Sequence, residues 1–204
     1  MTRALVVYAT SSGSTRAVAE ACAAMLSRST VLLDLRSLAS AETPLPSGRF
    51  DVVVAGTPTY GTGEWHTAWS AHVSKVAPLM CAAGTVMLFG LGDARGHGRT
   101  FAGGLGVLAD HVAALGIAWT GGISPSRYHF DASPALRNGA FPGLVVEYRR
   151  NRQVALANLR DWLHAFAPQP LAAREAGGDH TAGNSTFRPP LQSPAEDTPW
   201  RQRR

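Results

Sequence analysis

Apolar residues in this chain fall in short continuous runs, separated by glycine-, serine- and proline-rich breaks and by longer stretches of helical spacing. The runs at 3–9 (RALVVYA), 30–35 (TVLLDL), 50–56 (FDVVVAG), 84–90 (GTVMLFG), 117–121 (IAWTG) and 143–147 (GLVVE) read as strands. Between and after them, three-to-four-residue spacing predicts helices over 14–28, 65–77, 100–115 and 151–166. The strands are apolar throughout instead of alternating, which suits strands covered on both faces. The fold class is therefore α/β, with a parallel sheet and helices on either side. In the first helix Val18, Cys22, Met25 and Leu26 sit at i, i+4, i+7 and i+8, one stripe facing the sheet.

Composition bounds the size of that fold. With 204 residues, 45% of them hydrophobic, the chain can bury one full core but not two large ones. Residues 167–204 carry six prolines, three glycines and few large apolar groups. Such a segment cannot bury enough surface to offset its ordering entropy. The expected organisation is one domain over 1–166 and a disordered tail over 167–204. No run reaches the roughly 18 apolar residues of a membrane helix, and MTRALVVYAT turns polar early. A cytoplasmic protein with no membrane contact is expected. Cys22 and Cys81 lack C-x-x-C spacing and read as reduced, buried thiols, and no metal site is expected. The 19 basic residues are all arginine except Lys75 and are mostly scattered, which argues against nucleic acid as a partner.

Loop 10–15 (TSSGST) leaves a strand and opens a helix. Unpaired N–H groups at a helix start, beside the positive end of its dipole, stabilise anions. Thr10, Ser12, Ser14 and Thr15 add hydroxyls, and Gly13 lets the backbone turn. The segment lacks the lysine of G-x-x-x-x-G-K-[ST] and the spacing of G-x-G-x-x-G, so a single phosphate fits best. Ordinary Ser/Thr capping of the helix is the alternative.

In a doubly wound sheet ligands sit beyond the carboxyl ends of the strands. Two further loops leave that edge, TPTYGTGEW (57–65) and LGDARGHGRTF (91–101), each with a ring at its tip, Tyr60 and His97. A mononucleotide anchored at 10–15 would lay its base between them. In VVYATSSGSTRAVAEA, GTPTYGTGEWHTAW, LFGLGDARGHGRTF and RYHFDASPALRNGAFPGLVVEY the sequence resembles the flavodoxins, specifically the long-chain kind, over about 1–166. The resemblance implies a doubly wound, five-stranded, flavodoxin-like parallel sheet whose last strand is split by an insertion. It implies an FMN-dependent, low-potential electron carrier, not an enzyme, that shuttles electrons as a monomer between a reductase donor and an acceptor enzyme.

Carried over by position, Thr10, Ser11, Ser12, Gly13, Ser14 and Thr15 would hold the phosphate. Thr57, Pro58, Thr59, Tyr60, Gly61, Thr62 and Gly63 would form one flavin wall, with Tyr60 stacked on the ring. The peptide after Gly61 would turn over on reduction. Gly92, Asp93, His97, Gly98 and Thr100 would form the other wall. Trp69, Trp119 and Trp162 read as core and Trp65 as partly exposed at the flavin rim.

Two features depart from the family pattern. Histidine occupies 97, where a long-chain flavodoxin places a stacked tyrosine. Imidazole can charge near neutrality, so His97 is expected to make the second-electron potential pH-dependent. The family is usually acidic, whereas residues 1–166 hold 14 basic and 10 acidic groups, with EYRRN at 147–151. The expected partner therefore has an acidic docking face. The alternative function is an FMN-dependent NAD(P)H quinone or nitro reductase, which would need a dinucleotide site. A receiver-type signalling domain is set aside because the first and third strands end in YAT and AGT, without acidic residues.

Overall fold

Runs of valine and leucine form strands because successive side chains point to opposite faces of the ribbon and each face finds a partner layer. The computed structural model describes residues 2–27, 29–40, 43–168 and 186–187. Its elements are β1 (Ala4–Tyr8), α1 (Ser14–Leu26), β2 (Thr30–Asp34), β3 (Val52–Thr57), α2 (Thr67–Cys81), β4 (Thr85–Leu91), α3 (Gly103–Ala114), β5 (Trp119–Thr120), β6 (Leu144–Val146), α4 (Arg152–Phe166) and β7 (Thr186–Phe187). The sheet runs β2-β1-β3-β4-β5-β7, with β6 also paired to β4. All pairings are parallel except β5 with β7. The doubly wound parallel sheet expected from the apolar runs is present. Because β1 lies between β2 and β3, chain direction across the sheet reverses there, and a crevice opens beyond the carboxyl ends.

The last strand position is shared. Thr120 pairs with Met87 and Leu144 with Phe89, so β5 and β6 continue one another along β4 and residues 121–143 are inserted between them. The expected split of the last strand is thus seen in the register itself.

Alternation along β1 divides the core. Leu5 and Val7 face one layer with Trp69, Met80, Leu105 and Val112 of α2 and α3. Ala4, Val6 and Tyr8 face the other, with Val18, Cys22 and Leu26 of α1 and Leu159, Trp162 and Leu163 of α4. Strands β1 and β3 are buried at every position. The outer strand β2 is not: Leu32 is 41% exposed, because an edge strand has no neighbour on one side.

Several expectations shift. Met25 is only partly buried beside the Val18–Cys22–Leu26 stripe. Helix α2 begins at Thr67, where the His66 ring caps it, and continues through Pro78 to Cys81 because Met80 finds a buried place. Cys81 consequently lies exposed on the last turn, whereas Cys22 is buried as expected. Trp65 is buried, not at an open rim: it stacks on Trp69 at 6.0 Å, and its indole N–H donates to Ser70 Oγ. The expectation of disorder over 167–204 lies outside the described residues, apart from Ala167, Pro168 and the two residues of β7.

Candidate functional site

The register sets the site. Tyr8 pairs with Gly56 and Thr57 with Gly90, so β1, β3 and β4 end level and release their loops at one edge. Between those loops lies a cavity of about 560 Å³, within the ordinary range for small-molecule sites. Ser12, Ser14, Pro58, Thr59, Tyr60, Gly61, Gly92, Asp93, His97 and Thr100 line it, all of them expected from the sequence. Leu91, Ala102 and Val146 add apolar lining, while Arg95, Tyr148, Arg149 and Arg150 also face it.

Where β1 passes into α1, Gly13 adopts φ +85° as the N-cap of the helix, and no side chain caps it. The serines and threonines of 10–15 are therefore not explained by capping, and the first-turn amides of α1 remain for an outside acceptor. Thr10 and Thr15 are buried. Thr10 Oγ1 accepts from Gly13 N–H at 3.1 Å and so shapes the turn from within. Ser11 donates its N–H to the Tyr60 hydroxyl at 3.2 Å, joining this loop to the next.

Three residues unexpected from the sequence brace the loop. The Arg36 guanidinium donates to the Thr10 carbonyl at 2.9 Å. His66 Nε2 lies 3.1 Å from Ser11 Oγ, while its Nδ1 accepts from Ala68 N–H at 3.0 Å. With Nδ1 accepting, the neutral ring carries its proton on Nε2 and donates it to Ser11. Burial, followed by the Arg36 charge, holds the His66 pKa below the usual histidine value, against a smaller opposing effect of Asp34. Arg149 reaches Ser12 Oγ at 2.9 Å and Ser14 Oγ at 3.3 Å. These contacts span 26, 55 and more than 130 residues, so no local pattern announces them.

The wall from 57 to 64 is a closed turn. Tyr60 N–H donates to the Glu64 carbonyl, and the Gly63 and Glu64 amides return to the Tyr60 carbonyl. Glu64 accepts from the Thr62 amide and the Thr62 hydroxyl, both at 2.7 Å, and these bonds hold its pKa below the usual carboxylate range. Thr59 donates to the Leu91 carbonyl and accepts from Gly104 N–H, fixing the wall to β4 and α3. Thr57 is fully buried beneath it, and Gly63 packs against the backbone of Gly103, where a Cβ on Gly103 would come within 2.6 Å. Thr57 and Gly63 are buried within the wall and Thr62 is exposed on it, bonded to Glu64, so these three do not line the cavity. Tyr60 stands 37% exposed at its tip.

The opposite wall is held by Asp93, whose carboxylate accepts from the Arg95 and Gly96 amides, an Asx turn. Gly98 does not line the cavity; its carbonyl accepts from the amides of Asp131 and Ala132 in the inserted segment. Ser133 donates to the Phe101 carbonyl, and Phe130 and Phe141 pack on the Phe101 ring. At the end of this wall Ala102 sits at φ +55°, a left-handed conformation unusual for a residue with a Cβ and of the kind that gathers at binding sites.

No protein-family model matches the chain. Among characterised proteins, a flavodoxin of Klebsiella pneumoniae is 34% identical over 122 residues, covering 56% of this chain and 69% of that protein. A flavodoxin of a Synechocystis strain is 24% identical over 168 residues, covering 82% and 98%. The solved structure of Fusobacterium nucleatum flavodoxin bound to flavin mononucleotide superposes with a TM-score of 0.65 at 25% identity, covering 80% of this chain and 96% of the other. Bacillus cereus flavodoxin 2, 19% identical with a TM-score of 0.54, shares the fold. With the strand order, the loop that opens α1 and the two facing walls all at one sheet edge, the chain belongs to the flavodoxin family.

Proposed function

We propose that this chain is an electron carrier that holds FMN in the cleft, its phosphate on the loop from Thr10 to Thr15 and its ring between the walls tipped by Tyr60 and His97. The observation that carries the reading is the uncapped start of α1 opening onto an aromatic-walled cavity of about 560 Å³. The residues present fit the group: amides and serine hydroxyls for a phosphate, Tyr60, Tyr148 and His97 for a ring system, Leu91, Ala102 and Val146 for its apolar body. Bound FMN supplies the redox chemistry, and the protein supplies position and electrostatics.

Each wall has a distinct task. Gly13 lets the backbone approach the phosphate, Ser12 and Ser14 donate to it, and Thr59 holds the Tyr60 wall at fixed spacing from β4. The Glu64 carboxylate restrains the peptide between Gly61 and Thr62. His97 lines the outer wall and helps set the second-electron potential. Redox titration across pH 6–8 of wild type and His97→Tyr tests this: identical profiles would remove histidine from the tuning.

Electrons pass to and from redox partner proteins, as in the family. The partner proposed for this chain presents an acidic face, because Arg95, Arg149 and Arg150 gather at the cleft. The chain is proposed to act as a cytoplasmic monomer. Among the described residues no helix is long and apolar enough to cross a membrane. The reading is tested by reducing the FMN-loaded protein with a reductase and following onward transfer to an acceptor. Turnover of NAD(P)H by the isolated protein would instead point to an enzyme.

A further inference from the structure

We infer that Arg149 is a direct ligand of the FMN phosphate, a cationic arm that the β6–α4 turn extends across the phosphate loop. This rests on the FMN reading above and assigns to it a residue outside the loop. The side chain lines the cavity, and its Nη2 and Nε already donate to Ser12 Oγ at 2.9 Å and Ser14 Oγ at 3.3 Å. It is therefore held by two serines that themselves line the cavity. Three neighbouring cations are engaged elsewhere: Arg150 pairs with Glu147 at 3.5 Å, Arg152 lies over the Tyr148 ring, and Arg36 donates to the Thr10 carbonyl.

The chemistry is complementary at each atom. In the two contacts the serine oxygens accept, so their own protons stay available to donate to an anion. The guanidinium has five N–H donors, of which these contacts use two. Its planar fork matches two oxygens of one phosphate. The start of α1 offers amides and only about half a unit of positive charge, against nearly two negative charges on a phosphate monoester at neutral pH. A full cation at 149 makes up much of that difference. The same basic turn thus serves the phosphate as well as the surface charge of the rim, and it selects the phosphorylated flavin over riboflavin.

The test is a pair of fluorescence-quenching titrations, with FMN and with riboflavin, on wild type, Arg149→Gln and Arg149→Lys. Arg149→Gln is expected to weaken FMN binding about 10- to 100-fold, the worth of one hydrogen-bonded charge, while riboflavin affinity stays within about twofold. Arg149→Lys is expected to recover part of the loss, since it restores the charge but not the fork. Wild-type affinity for FMN is expected to fall more steeply with salt than that of Arg149→Gln. Circular dichroism melting establishes that the variants fold, the side chain being exposed. Equal FMN affinity in wild type and Arg149→Gln, or a parallel loss of riboflavin, overturns the assignment and leaves the FMN reading intact. A wild type that binds neither flavin overturns that reading, and the assignment with it.

Discussion

His66 shows how much a single ring can carry: Nδ1 closes the start of α2 and Nε2 steadies Ser11. The cap needs the neutral ring, because only an unprotonated Nδ1 accepts from Ala68 N–H, and burial favours that form by lowering the pKa. The unfolded chain takes up a proton below about pH 6.5. The stabilisation from His66 is therefore complete above that pH and is lost as pH falls through the depressed folded value. Chemical denaturation between pH 7 and 5 is expected to show a shallower loss of stability for His66→Asn, which keeps an acceptor at the cap; equal slopes would assign the pH dependence elsewhere. Gly13 makes a different point. A Cβ there meets nothing within 4 Å, so the cost of Gly13→Ala is that of the φ +85° backbone alone. About 1 kcal/mol is expected, or a fall of about 2–4 °C in Tm for a chain of this size. Glu64→Ala frees the Thr62 amide, and hydrogen exchange at that amide is expected to accelerate while β1 and β3 stay protected.

Among the elements, the inserted segment between β5 and β6 acts as a buttress. It holds the Gly98 carbonyl and packs its aromatic rings on Phe101, at the base of the wall that carries His97. Phe141 is 1% exposed at the centre of that cluster. Phe141→Ala is expected to destabilise by about 3–5 kcal/mol and to weaken flavin binding with it, as urea denaturation and titration can check. Unchanged stability would mean that the segment is an appendage. The strands and their layers were legible in the sequence because burial on both faces writes a continuous apolar run, and β1 and β3 follow it residue by residue. Termini were less so: the sequence places the end of α2 at 77, but Met80 docks in the core and draws the helix past Pro78, which moves Cys81 to the surface. The three loops were legible as a site from glycine and hydroxyl residues at strand ends. Arg36, His66 and Arg149 were not, since each reaches the loop through the fold instead of through neighbouring sequence.

On the scale of the whole molecule, charge distinguishes this chain. Residues 1–166 carry 14 basic and 10 acidic groups, and Arg95, Arg149 and Arg150 gather at the cleft. Attraction between that rim and an acidic partner is screened over about 8–10 Å at moderate salt. The second-order rate of electron transfer with such a partner is expected to fall as ionic strength rises; a rate that increases with salt would mean that like charges face each other. All of this presupposes that the cleft takes FMN. The most direct measurement is titration of the purified, flavin-free full chain with FMN, followed by fluorescence and absorbance. Saturable one-to-one binding with quenched flavin fluorescence is the expected result. A protein that stays colourless and leaves the fluorescence of added FMN unchanged would contradict it.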